Sequence, residues 1–391
     1  MLKKCAFFLV VCALSAVRVR ADSYQLVDLI LPGATGSSVA GIDAAGEAAG
    51  TATRADGTTR AFLYSGGHIA DLGLLGGAES MVATAIGGKG QVVGSATFAD
   101  GTTHGFLYTA AGGLVDLGNL PGATSSTAVA VNAAGQAVGS SGGHGVFYGN
   151  GGPVDLGAGV TPLAINDAGR IVGNAGGHAF YSDKGAARVD LPPLSGSSSN
   201  AVGVNALGHV LVQSGSRLYY TNSAGGQVEI KDTSGVGYTL TGRAINDRDQ
   251  ALVQAAGVSN TSGLVLYSGG SLTPLINPLA GRFIFAGALN NGGQVATTAV
   301  DSGFRGHAYL FNAQGKAFSI DGLAGYPRSF QSFDSASGLN DAGSVVGLGT
   351  AADGSTHGYL LLASVPAPPA LAMLVPGLAG ALGLLRRTTR R

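Results

Sequence analysis

Ala130-Val131-Asn132-Ala133-Ala134-Gly135-Gln136 is one of several copies of the phrase that organises this chain. An apolar pair is followed by Asn or Asp, two small residues, Gly and a polar residue, and then by further apolar residues. Gly41-Ile42-Asp43-Ala44-Ala45-Gly46-Glu47 and Ala164-Ile165-Asn166-Asp167-Ala168-Gly169-Arg170 are close copies, and Asn340 marks another. Weaker copies place Gly87, Asn205, Asn246 and Asn290 in the asparagine slot. From Asp43 onward the eight slots are 44, 45, 34, 39, 41, 44 and 50 residues apart. Periods of this length mark repeat architectures.

A second phrase follows each copy, as in His104-Gly105-Phe106-Leu107-Tyr108, His178-Ala179-Phe180-Tyr181 and His357-Gly358-Tyr359-Leu360. A third comes next, as in Val115-Asp116-Leu117-Gly118 and Val154-Asp155-Leu156-Gly157. Copies five and six have lost the histidine, reading Arg217-Leu218-Tyr219-Tyr220 and Leu264-Val265-Leu266-Tyr267. Over residues 24–363 these ordered phrases resemble the HAF family of probable extracellular repeats. The resemblance implies extracellular placement and carries no established activity.

Each repeat reads as four short strands. The Ala-Ile-Asn segment is the first, and Asn-Asp-Ala-Gly makes a tight turn with Gly where the backbone must be permissive. Gln91-Val92-Val93-Gly94-Ser95 represents the second, and Asp-Gly pairs such as Asp100-Gly101 serve as hairpin connections. His-Gly-Phe-Leu-Tyr is the third strand and Val-Asp-Leu-Gly the fourth. A four-stranded unit of this length is the size of a propeller blade. The spacing therefore predicts an all-β fold, a single propeller of eight four-stranded blades, with a β-solenoid as the alternative. Copy eight lacks its own Asp-Leu strand, and Tyr24-Gln25-Leu26-Val27-Asp28-Leu29-Ile30 stands spare ahead of copy one. Residues 24–30 are thus expected beside residues 357–362, closing the ring and removing two exposed sheet edges.

Composition agrees with this reading. Gly supplies 67 of the 391 residues, charged residues only 11% and hydrophobic residues 45%, so a large core forms and general disorder is excluded. The 22 basic and 22 acidic residues balance, but eight of the cations lie at the two ends. Without them 14 basic residues face 22 acidic ones, a net charge of −8 that phosphate backbones repel, so no nucleic-acid partner is expected.

The ends read as addresses. Lys3 and Lys4 precede the apolar run Cys5 to Val17 and then Val19-Arg20-Ala21, so residues 1–21 form a signal peptide that signal peptidase cuts after Ala21. Cys5 and Cys12 both fall inside it, leaving a mature chain without disulfides or thiolates. Val365-Pro366-Ala367-Pro368-Pro369 leads into an apolar stretch, Ala370 to Leu385, that stops at Arg386-Arg387-Thr388-Thr389-Arg390-Arg391. This order, across residues 364–391, resembles the PEP-CTERM sorting signal read by exosortases in Gram-negative bacteria, with Ala367 where that family has glutamate. The resemblance implies transient anchoring in the inner membrane, processing by an exosortase-type enzyme and release to the surface. A helix of sixteen residues spans roughly 24 Å, short of a hydrocarbon core, so the anchor is a weak one.

Candidate chemistry is sparse. Five of the seven histidines (His104, His144, His178, His307 and His357) share one repeat slot, which spreads them one to a blade and argues for strand-start hydrogen bonding over a metal centre. The only glutamates are Glu47, Glu79 and Glu229. Twelve of the 19 aspartates recur in repeat slots: Asp28, Asp71, Asp116, Asp155 and Asp190 before Leu, Asp43, Asp167, Asp247 and Asp341 in the first turn, and Asp56, Asp100 and Asp353 in Asp-Gly turns. Few unique acids remain for an acid/base pair. Gly139-Ser140-Ser141-Gly142-Gly143 matches a nucleophile-elbow pattern only formally, since no strand-to-helix context surrounds it. No catalytic residue, metal site or cofactor is expected. The chain reads as a secreted, exosortase-sorted surface or matrix protein, a non-catalytic scaffold that binds extracellular material such as exopolysaccharide or surface proteins. The alternative is a propeller hydrolase or lyase acting on a polysaccharide.

Overall fold

The computed structural model describes residues 24–363 except 150, 195, 197, 223–225, 233–236, 258–261, 280–282 and 326–328. Eight four-stranded antiparallel sheets form the blades of a β-propeller. Seven blades are built from consecutive strands: blade 1 runs from Ala34 to Asp71, blade 2 from Ala78 to Asp116, blade 3 from Ser126 to Ala158 and blade 4 from Thr161 to Asp190. Blade 5 runs from Asn200 to Ile230, blade 6 from Thr239 to Leu275 and blade 7 from Phe283 to Ser319. A five-residue helix, Ile320–Ala324, leads into blade 8 and buries Ile320 and Leu323. Ala21 and the segment Val365, Pro366, Ala367, Pro368 lie outside the described residues.

Blade 8 uses both ends of the chain. Its first three strands are Phe330–Leu339, Val345–Ala351 and Thr356–Ala363, and its outermost strand is Tyr24–Leu29. Tyr24 lies opposite Ala363 and Leu29 opposite Gly358 in antiparallel register. Asp28 accepts from His357 Nδ1 at 3.0 and 3.1 Å, tying residues 329 apart in sequence. The spare strand read from the sequence therefore sits where ring closure requires it.

The hydrophobic core is divided among the eight blade interfaces. Ala49, Ala61 and Leu63 of blade 1 pack with Met81, Val92 and Phe106 of blade 2. Leu29 and Leu360 of blade 8 pack with Ala48 and Phe62 of blade 1. Facing sheets that converge on an axis leave little room near it, which accounts for alanine and glycine in the two inner strands. At Gly94 an added Cβ would lie 2.8 Å from Phe106 Cε1 and press on the Val82 carbonyl oxygen. Gly94 pairs with Phe106 in register, so the aromatic ring of the third strand covers the bare backbone of the second. The same pairing joins Gly50 to Phe62, Gly173 to Phe180 and Gly347 to Tyr359.

Every innermost strand also carries a β-bulge three residues before its asparagine slot, for example at Val129 and Leu163. A bulge adds one unpaired residue, bends the strand and sharpens its twist, which aims the following turn at the neighbouring blade. Alternation of apolar and polar residues does not reveal this feature.

Closure from both ends makes the first strand part of the ring. Deleting residues 22–31 is expected to lower the melting temperature and promote aggregation through the opened edge of blade 8. Differential scanning calorimetry with light scattering checks this, and identical melting of truncated and intact protein would contradict it.

Candidate functional site

The first repeated turn forms a belt around the axis. In each copy the asparagine-slot carbonyl accepts from the backbone N–H three residues on, as Asn132 does from Gly135 at 3.0 Å. That glycine has positive φ, 77° at Gly135, so the residue type read from the sequence answers a backbone need. The Asn132 side-chain oxygen accepts from Ala134 and Gln136 N–H at 3.1 and 3.0 Å. Its amide group donates to Gln136 Oε1 at 2.9 Å and across the interface to the Asn166 carbonyl at 3.1 Å. The step across the interface repeats from Asn166 to Asn205, Asn205 to Asn246, Asn246 to Asn290, Asn290 to Asn340 and Asn340 to Asp43, at 2.8–3.0 Å.

Two copies depart from the asparagine, and each is compensated. In blade 2 the slot is Gly87, and Gln91 reaches into the vacant space. Its oxygen accepts from Lys89 N–H at 3.0 Å and its amide donates to the Ala133 carbonyl at 2.9 Å. In blade 1 Asp43 has no proton to donate, so its Oδ2 accepts from Gly90 N–H at 3.2 Å and the direction of the tie reverses. Asp43 is buried beside Glu47, and Glu47 accepts from the Ser65 hydroxyl. Burial, reinforced by the Glu47 charge, holds the Asp43 carboxyl above the usual carboxylate range, against the lowering effect of backbone N–H donors.

The belt rims an open cavity of about 350 Å3 on the axis, lined by Asp43, by the slot asparagines of blades 4 to 8 and by Asp167, Asp247, Asn291 and Asp341. Those four side chains accept backbone N–H groups from neighbouring blades, as Asp167 does from Ala133 at 2.8 Å and Asp247 from Ala206 at 2.7 Å. Asn291 donates to both Asp247 and Asp341, at 2.8 and 2.9 Å. The acids on the axis are thus engaged in joining blades. Among the described residues no group of three His, Cys, Asp or Glu side chains is placed to hold a metal ion.

The histidine and Asp-Leu slots turn out to be partners. His104 meets Asp116 at 2.8 Å and His144 meets Asp155 at 2.9 Å, as His357 meets Asp28. Each aspartate lies opposite the residue two after its histidine, a register that places both side chains on one face. In blade 5, where the histidine is lost, Arg217 grips Glu229 at 2.6 and 2.9 Å across the same two strands. Glu229 is therefore a repeat residue in a changed pair. His307 instead meets Asp301 of the preceding turn at 3.1 Å, and in blade 4 Asp190 pairs with Arg188 at 2.8 Å. Ser141 of the formal nucleophile pattern accepts Leu120 N–H at 2.9 Å at the end of a strand that turns into another strand.

One turn breaks the glycine rule. Asp249 occupies the glycine position of copy six with φ of 56°, a conformation aspartate tolerates better than most residues. It meets the buried His209 at 2.7 Å and accepts from Asn205 at 2.9 Å. A second concavity opens beside His209 and the first turn of blade 5. It measures about 500 Å3 and lies between blades 4 and 5, against Tyr181, Val189, Pro192, Leu207 and Asn222.

Asp43→Asn supplies the donor that blade 1 lacks and removes a buried carboxylate beside Glu47. The raised carboxyl range means that this carboxylate's contribution to stability is present at low pH and is lost as pH rises through it. The variant should gain roughly 1 kcal/mol at neutral pH, and its advantage should shrink as pH falls. Thermal melts across pH check both the sign and the trend.

No protein-family model and no curated protein matches the chain. Among solved structures it is similar to a prolyl endopeptidase, at 12% identity and TM-score 0.52, over 85% of this chain and 55% of that one. A post-proline cleaving enzyme from Rickettsia typhi aligns at 10% identity and TM-score 0.50, over 84% of this chain and 57% of that one. The β-propeller domain of the Trilobed protease from Pyrococcus furiosus aligns at 11% identity and TM-score 0.43, over 88% and 99% of the two chains. The chain thus spans little more than half of each of the first two peptidases. Likeness at these identities is a likeness of fold.

Proposed function

We propose that this chain is a secreted, exosortase-sorted surface or matrix protein whose propeller binds extracellular polysaccharide without turning it over. The observation that carries this reading is the division of labour among its polar groups. The recurrent Asn and Asp side chains of the first turn join neighbouring blades and the His–Asp pairs join strands within a blade, whereas the larger concavity lies where blades 4 and 5 depart from the repeat. A rigid ring with binding confined to its irregular places suits a scaffold. The apolar stretch between Ala370 and Arg386 supports temporary tethering before release.

One observation favours a polysaccharide hydrolase or lyase instead: Asp43 lines the axial cavity with the Glu47 carboxylate beside it, and burial holds the Asp43 carboxyl above the ordinary carboxylate range. Their commitment to turn N–H groups and to Ser65 weighs toward a structural role.

In the native host the protein should fractionate with the extracellular matrix as a species beginning at Asp22 and lacking Arg391. It should co-sediment with the host's matrix polysaccharide and release no reducing or unsaturated ends. Intact mass spectrometry, co-sedimentation and end-group analysis test this together. A membrane-bound species retaining Arg391 would contradict the sorting reading, and chain cleavage lost in Asp43→Asn would favour the enzyme.

A further inference from the structure

We infer that the cleft between blades 4 and 5 is a binding site for an uncharged segment of a glycan. This rests on the polysaccharide-binding reading and assigns it a place and a ligand class.

The cleft has a structural cause. The outermost strand of blade 4 is only two residues long, Val189–Asp190, where other blades use three to seven. The chain then leaves the sheet through Leu191 and Pro192, and the Pro192 carbonyl accepts from Tyr219 and Gln227 of blade 5 at 2.8 and 3.1 Å. The flank of blade 4 is left open below this crossing, and the first turn of blade 5 forms the opposite wall. Its volume of about 500 Å3 lies in the range of small-molecule sites and exceeds that of the axial cavity.

Charges around the cleft are already matched. Arg170 binds Asp183 through two bonds of 2.8 and 3.0 Å, donates to the Gly208 carbonyl at 3.1 Å and lies 4.4 Å over the Tyr181 ring. Asp190 is paired with Arg188 and His209 with Asp249. An anionic ligand would have to break the Arg170 fork, and a cationic one would have to displace Arg188. What remains to a ligand is apolar surface with a polar border. Val189 is 45% exposed and Leu207 59% exposed, in a turn position that is alanine in blades 1, 3, 4 and 8. Thr221, which accepts Val210 N–H at 2.9 Å, and Asn222, which accepts Gly226 N–H at 2.8 Å, stand at the border. A pyranose ring presents the complement, with C–H faces for the apolar wall and hydroxyls for the rim.

Calorimetric titration of the full chain with cellohexaose, maltohexaose, laminarihexaose and an alginate hexamer tests the assignment. At least one neutral hexasaccharide should bind, with the same affinity at low and high salt, and the alginate hexamer should not. Leu207→Asp and Val189→Lys, both at exposed positions, should each weaken binding at least tenfold without lowering the melting temperature. Phe304→Ser, on a turn of blade 7, should bind as the parent does. Failure of all three neutral probes, alginate binding alone, or unchanged affinity in both cleft variants would overturn the assignment. Co-sedimentation with the matrix polysaccharide, persisting in the cleft variants, would then show that the broader reading stands and the site lies elsewhere.

Discussion

The structure depends on a hydrogen bond from a buried side-chain amide of one blade to a backbone carbonyl of the next. Asn132 illustrates why asparagine suits the slot: two acceptor sites hold its own turn, one donor is satisfied by Gln136, and the other reaches Asn166. Such a bond adds roughly 1 kcal/mol net but costs more if one partner is buried and left unpaired. Blades are thereby coupled in orientation as well as by apolar contact. The two exceptions show that the tie, rather than the asparagine, is what must be kept. Gln91 supplies it from four residues further along, and Asp43 keeps it by exchanging donor for acceptor. With Asn340 bonded to Asp43, the belt joins the last repeat to the first.

Much of this architecture was legible in the sequence. The spacing of the slots gave the blade count, and the orphan Asp-Leu strand at Tyr24–Leu29 gave the closure, because strand balance is a matter of counting. The partnership of the histidine and aspartate slots was not legible. The two lie on separate phrases, and only the cross-strand register shows that His144 faces the Asp155 side chain. For the same reason Arg217 reads as the loss of a histidine and Glu229 only as one of three glutamates, although together they preserve the pair. The bulges of the inner strands were hidden because one inserted residue leaves the length of a repeat within its natural scatter. Asp249 stood in plain view at a glycine position, and its meaning required the His209 contact.

Function is harder to read from such a chain because the recurrent residues attract attention and are the ones devoted to holding the ring. The irregular places are informative: a two-residue outer strand in blade 4, a leucine in place of alanine at 207, and an aspartate in place of glycine at 249. The first two line one interblade cleft, and the third holds His209 on its wall. Departures from a repeat pattern at neighbouring positions are where use beyond ring-building is to be sought, although Asp249 itself still ties blade 6 to blade 5.

The central claim is that belt and closing strand make the eight blades one cooperative unit. Native-state hydrogen exchange addresses it directly, by comparing opening free energies for the amides of the closing strand with those of the asparagine-slot residues. The account predicts one shared value, with Val27 and Leu29 as protected as Asn132 and Asn246. A graded series, with Tyr24–Leu29 exchanging at low free energy while central blades stay protected, would describe an open stack of repeats and contradict the closed ring.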